Sequence, residues 1–136
     1  MNAYQVYRQM QAQTAAPGEL VVMLYRGAVR FISSAIAGIQ ARDIESAHTN
    51  LVKAQAVLAE LSATLDLERG GDIAAQLLSL YDYFNRRLIE ANLRKDPEPA
   101  REVERLLREL LPAWERAARE ASPQGPRPGT FAEAAA

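Results

Sequence analysis

Between residues 70 and 96 the chain reads GGDIAAQLLSLYDYFNRRLIEANLRKD, with more apolar positions than one buried helical face uses. Ile73, Leu77, Leu80, Phe84, Leu88 and Ala91 recur at spacings of three and four, which predicts one side of a helix turned to a core. Leu78, Tyr81 and Ile89 fall beside that stripe. An apolar sector much wider than about 100° either sits among several neighbours or leaves part of itself for a partner. Tyr81 and Tyr83 flank Asp82, so their phenols leave the helix on different sides and at most one is central to the core. The other requires a wetter place, because a buried hydroxyl needs a hydrogen-bond partner.

Three more helices carry the same kind of pattern. The first begins at Pro17, whose missing N–H costs nothing in a first turn, followed by Glu19 at the positive end of the dipole. It runs to about residue 41 with Leu20, Leu24, Ala28, Phe31, Ala35 and Ile39 as its inner row and Val21, Val22, Tyr25 and Val29 off that row. Gly27 and Gly38 either let another backbone approach or are simply tolerated. Asp43 caps the second helix, where Ile44, Ala47, Leu51, Ala54, Leu58, Leu61 and Leu65 step inward without a break, and Val52 and Val57 lie outside the row. Gly70 and Gly71 then read as a stop and Asp72 as the cap of the third helix, which ends near Lys95. Asp96, Pro97 and Glu98 open the fourth, with Val103, Leu106, Leu107, Leu110 and Trp114 inward and Glu104/Arg108 and Glu115/Arg119 pairs on its solvated face. Pro112 removes a backbone donor inside this helix, and a kink is expected there. The pattern thus predicts an all-α protein, an antiparallel four-helix bundle in a single domain over residues 1–120.

The ends read differently. Residues 1–16 are mostly polar but carry Tyr4, Val6, Tyr7 and Met10, the pattern of a loose terminus that docks through aromatic anchors. Residues 121–136 combine three prolines and two glycines with little to bury, and a disordered tail is expected.

Composition narrows the function. With 136 residues, one core is affordable without staples, and the absence of cysteine excludes disulfides. The densest apolar patch, Leu20 to Tyr25, falls short of the about 20 residues that span a bilayer, and the start has no cleaved-signal pattern, so no membrane insertion is expected. Sixteen basic and seventeen acidic residues give a net charge of −1, which leaves no global field for nucleic acid. A di-iron bundle needs two Glu-x-x-His motifs, whereas His48 is the one histidine, placed beside a core position where a surface role suits it. No phosphate loop, thiol nucleophile or haem motif is present, so neither an enzyme nor a cofactor is expected. Arg86, Arg87, Arg94 and Lys95 cluster toward a helix C-terminus, which accounts for them electrostatically, an acidic partner being the alternative. The remaining signal is surplus apolar surface, which fits grooves for a peptide partner, the alternative being that neighbouring helices or a homodimer bury the excess.

Several strings together resemble the flagellin-specific export chaperones of bacteria, the FliS family. They run from Ala3-Tyr4-Gln5 through Thr14-Ala15-Ala16-Pro17-Gly18-Glu19-Leu20, Met23-Leu24-Tyr25-x-Gly27-Ala28 and Lys53-Ala54. They are densest in Gly70-Gly71-Asp72-Ile73-Ala74, Leu80-Tyr81-Asp82-Tyr83, Arg86-Arg87-Leu88 and Glu90-Ala91-Asn92-Leu93, and Ala113-Trp114 closes the match. The resemblance covers residues 3–120 and departs at Pro112, where related sequences keep a good helix former. It implies a cytosolic bundle that binds the C-terminal segment of newly made flagellin and prevents its premature polymerisation. It further implies delivery to the export gate of the flagellar type III apparatus, with no cofactor, and a mobile N-terminal segment that covers part of the groove. On this reading Tyr4 and Tyr7 belong to that cap, while Tyr25, Val57, Leu78 and Tyr81 line the partner surface.

Overall fold

The structure is a computed structural model that describes residues 17–120, and those residues form four helices with no strand among them. They are α1 (Pro17–Gln40), α2 (Ile44–Ala63), α3 (Leu67–Arg94) and α4 (Pro97–Glu120). Short connections make successive helices antiparallel, and each helix packs against its two neighbours in a ring, α1 lying closest to α2 and α4. Small residues set those two close seams. A Cβ on Gly38 would stand 3.0 Å from the Ala47 nitrogen, and one on Gly18 would stand 3.0 Å from the Ala118 Cα. Gly38 is therefore required by the α1–α2 approach, whereas Gly27 has open space around it and is merely tolerated.

The helix ends follow local chemistry. Asp43 caps α2 by accepting from the Ser46 N–H at 3.1 Å, and Asp96 accepts from Glu98 N–H at 3.0 Å just ahead of the Pro97 start, both as expected. The α1 and α3 stops use Arg42 and Lys95 in the left-handed region, φ 60° and 50°, rather than glycine. The junction between α2 and α3 falls earlier than the glycine signal indicates. Thr64 Oγ1 donates to the Leu61 carbonyl at 2.6 Å, and Asp66, not Asp72, caps α3 through the Glu68 and Arg69 N–H groups. Gly71, at φ 54° and ψ −132°, then breaks the helical path and sets a leading turn at an angle to the body of α3. Pro112 does not interrupt α4, which stays helical through it. Its ring lies on the exposed face, where water can serve the carbonyl that loses its donor.

One core runs through the bundle, built on Trp114, Tyr25, Tyr81, Phe84, Ile32 and Leu51 with an aliphatic surround, and no polar or charged residue is fully buried among those described, the tyrosines apart. The inner rows of α2 and α4 match the sequence pattern except that Ile44 is exposed and Val57 is buried. The α3 row is rotated in its first half: Ala74 and Tyr81 are inside, Ile73 is exposed and Leu80 is half-buried. The stretch Gly18–Gln40 of α1 is by length and composition apolar enough to cross a membrane, which the short patch at Leu20 to Tyr25 did not reveal. In this fold its Val21, Leu24, Tyr25, Ala28, Ile32 and Ala35 are core residues.

Candidate functional site

Of the four predicted partner-contact residues within the described region, three belong to the interior. Tyr25, Val57 and Tyr81 are 0%, 0% and 2% exposed, so the expectation that they line an open surface is corrected. The reason is a polar bond that only the folded chain supplies: the Tyr25 and Tyr81 hydroxyls meet at 2.8 Å across the bundle. One hydroxyl donates and the other accepts, and the rings stack edge to face with centroids 6.3 Å apart while Tyr25 also leans on Trp114 at 5.9 Å. Burial pushes the Tyr25 phenol up to about 12, its contacts with Tyr81 and the Trp114 indole opposing the shift. Burial, reinforced by Tyr25, raises Tyr81 as well. Tyr4 and Tyr7, the proposed cap and the tail after residue 120 lie outside the described residues.

Leu78, beside the buried stripe, is 37% exposed on α3. It does not stand alone. Val52 and Ile44 on α2 and Ile89 and Leu93 on α3 are also exposed, Leu93 at 81%. Two side-chain rungs fix how these helices face each other: Gln55 to Asn85 at 3.0 Å, and His48 Nδ1 to Asn92 Nδ2 at 2.9 Å. Both rungs are seven residues apart on each helix, so the antiparallel register places Val52 and Ile89 opposite each other between them. Leu78 lies two turns beyond Asn85 on the same side. The result is an apolar row along the α2–α3 seam, from Ile44 and Leu93 at one end to Leu78 toward the other. Ile44 had the spacing of a core position; being the first residue after its cap, it precedes the point where α1 covers the row.

On the next seam, Glu102 of α4 accepts from the Tyr83 hydroxyl at 2.8 Å and from Arg87 Nε at 2.6 Å, and Arg87 also reaches Glu90 at 2.9 Å. The Tyr83 and Arg87 bonds hold the Glu102 carboxyl below the usual range, and the same carboxylate raises Tyr83 and Arg87. Tyr83 is thus the wetter of the two flanking tyrosines, a clasp between α3 and α4. The basic cluster is internally engaged too, Arg86 with Asp82, Arg94 with Glu90, and Lys95 with Asn92. Among the described residues no three His, Cys, Asp or Glu side chains gather where they could hold a metal ion.

The polar clusters of this bundle serve its own seams and an apolar row stays exposed, an arrangement that suits the class of helical proteins that hold another chain. Comparison with known proteins specifies the class. The profile of the family described as "Flagellar protein FliS" matches residues 1–121. The flagellar secretion chaperone FliS of Bacillus subtilis (strain 168) is 40% identical over 116 residues, 85% of this chain and 86% of its own length. That of Salmonella typhimurium is 38% identical over 129 residues, 93% and 96% of the two chains, and that of Campylobacter jejuni is 38% identical over 112, 82% and 88%. The chain belongs to the FliS family of flagellar secretion chaperones.

Proposed function

We propose that this chain binds the C-terminal segment of flagellin in the cytosol, keeps it from polymerising before export and delivers it to the flagellar export gate. The exposed row of Val52, Leu78, Ile89 and Leu93 on one seam carries the reading. Single exposed apolar residues are ordinary, but a row aligned on one seam is the form in which a groove engages spaced apolar anchors of a peptide. Covering a client's apolar face suppresses its self-association by mass action alone, without a chemical step. Family membership supports the reading as far as a client of flagellar export, because the relatives are flagellar secretion chaperones.

Calorimetric titration with the C-terminal 40 or so residues of the host's flagellin tests the reading. A one-to-one complex with a negative heat-capacity change is expected, since apolar burial on association produces that signature. The competing homodimer draws on the same exposed row. Sedimentation separates them: a stable dimer that takes up no flagellin segment would overturn the chaperone reading.

A further inference from the structure

The seam opposite the apolar row is of another kind. Three shallow depressions follow one another between α1 and α4. The middle one, of about 390 Å³, is lined by Arg26, Val29, Arg30, Ser33, Ser34, Arg108 and Leu111, three guanidinium groups with no carboxylate among them. Arg26 and Arg30 are one turn apart on α1, and Ser33 and Ser34 continue the same side. Two of the cations have partners outside the depression, Arg26 with Glu115 at 2.5 Å and Arg108 with Glu104 at 3.4 Å. Arg30 makes no ion pair among the described residues, in contrast to Arg86, Arg87 and Arg94 of the α3 cluster, whose Lys95 instead donates to the backbone and side-chain oxygens of Asn92.

We propose that this depression is a second docking surface, which receives the carboxylates of an acidic peptide segment while its Val29 and Leu111 floor takes an adjacent apolar side chain. Planar guanidinium forks suit carboxylates geometrically, and the serine hydroxyls add donors. The existing pairs are cheap to exchange, because ion pairs this exposed contribute little. The same surroundings exclude an extended polyanion. Glu115 and Glu104 flank the depression, and Glu98, Glu102 and Glu104 line the next one, so a nucleic-acid backbone following the seam would meet carboxylates on leaving the arginines. The chain's own start is excluded as occupant on charge, since residues 1–16 contain no Asp or Glu. Because the α1–α4 and α2–α3 seams lie on opposite sides of the ring, both surfaces can be occupied at once.

The probe is a fluorescein-labelled peptide alternating leucine with pairs of glutamate, titrated onto the full-length protein and followed by anisotropy. Binding that weakens as salt is raised past about 0.1 M is expected. It should weaken by about tenfold or more in the double variant Arg30→Glu/Arg108→Glu, in keeping with the loss of charge-assisted bonds. Arg30→Ala/Arg108→Ala, a milder change at two exposed positions, should give a smaller loss with an unaltered circular dichroism melt. Leu78→Asp should leave peptide binding intact, which separates this surface from the flagellin seam and from the outcome of the flagellin titration. The proposal is overturned by no binding at low salt up to about 1 mM peptide. Equal affinity of the native protein and both arginine double variants, or equal binding of a lysine-substituted peptide, overturns it as well.

Discussion

Tyr25 on α1 and Tyr81 on α3 join their hydroxyl groups at 2.8 Å through the middle of the bundle, linking two helices that are not neighbours in the ring. Both rings are essentially inaccessible, so neither hydroxyl has water as an alternative partner. The pair locks the diagonal of a core that is otherwise held by non-directional packing.

Removing one hydroxyl should cost more than half of what removing both costs. Tyr81→Phe leaves the Tyr25 hydroxyl buried with its main partner gone, and Tyr25→Phe does the converse, each destabilising by about 1–3 kcal/mol. In Tyr25→Phe/Tyr81→Phe both groups disappear, and the loss should fall well below the sum of the single changes. Urea unfolding of the four proteins closes the cycle. Additive losses would show that the hydroxyls do not act as a pair.

The same burial fixes the direction of alkaline unfolding. A phenol ionises near 10 in the unfolded chain, whereas Tyr25 in the fold is pushed up to about 12 and Tyr81 is raised too. Between those values the unfolded state releases protons that the native state keeps, so stability falls as pH rises. Below pH 10 this contribution is fully present, and it is lost by about pH 12, Tyr25 alone representing on the order of 3 kcal/mol. Ultraviolet titration should show both tyrosines ionising only together with the loss of helix signal. Ionisation of all five tyrosines near pH 10 in a still-folded protein would contradict the assignment.

Gly27 and Gly38 share a helix but should respond oppositely to alanine. Gly27 has nothing within 4 Å of an added Cβ, so Gly27→Ala should stabilise the protein by about 0.5–1 kcal/mol through reduced unfolded-state freedom. At Gly38 the added carbon would meet the Ala47 backbone at 3.0 and 3.2 Å, and relief requires moving α1 from α2. Gly38→Ala should therefore destabilise by about 1–3 kcal/mol, as overpacking does. Thermal melts of both variants settle the sign at each position.

Sequence pattern reached the four helices, their antiparallel order and the Asp43 and Asp96 caps, because those depend on residues a few positions apart. It failed where the answer depended on another helix. The spacing of Ile73, Leu77, Leu80 and Phe84 puts Tyr81 beside the row, whereas the fold buries it against a hydroxyl partner, Tyr25, that is 56 residues away. On α1 the apolar residues surround the helix so widely that periodicity could not choose between the Leu20/Phe31 row and the buried Val21, Ile32 and Ile36. The candidate site was legible in part: Leu78, Val52 and Ile89 stood off the core rows, but their alignment on one seam needed the register set by Gln55 with Asn85 and His48 with Asn92.

The contrast between Leu78 and Tyr81 gives the sharpest test of where flagellin binds. Leu78 is 37% exposed and Tyr81 only 2%, though they are three residues apart on α3. Leu78→Asp, alone or with Ile89→Asp, should weaken binding of the flagellin segment by about 2 kcal/mol or more while leaving the melt nearly unchanged, as expected of an interface anchor at the surface. Tyr81→Ala should do the reverse in kind. It opens a cavity and strands the Tyr25 hydroxyl, lowering stability by about 3–5 kcal/mol, and any loss of binding should follow the fraction unfolded. Calorimetry beside unfolding curves distinguishes the two. If Leu78→Asp and Ile89→Asp bind flagellin as tightly as the native chain, the α2–α3 row is not the client surface.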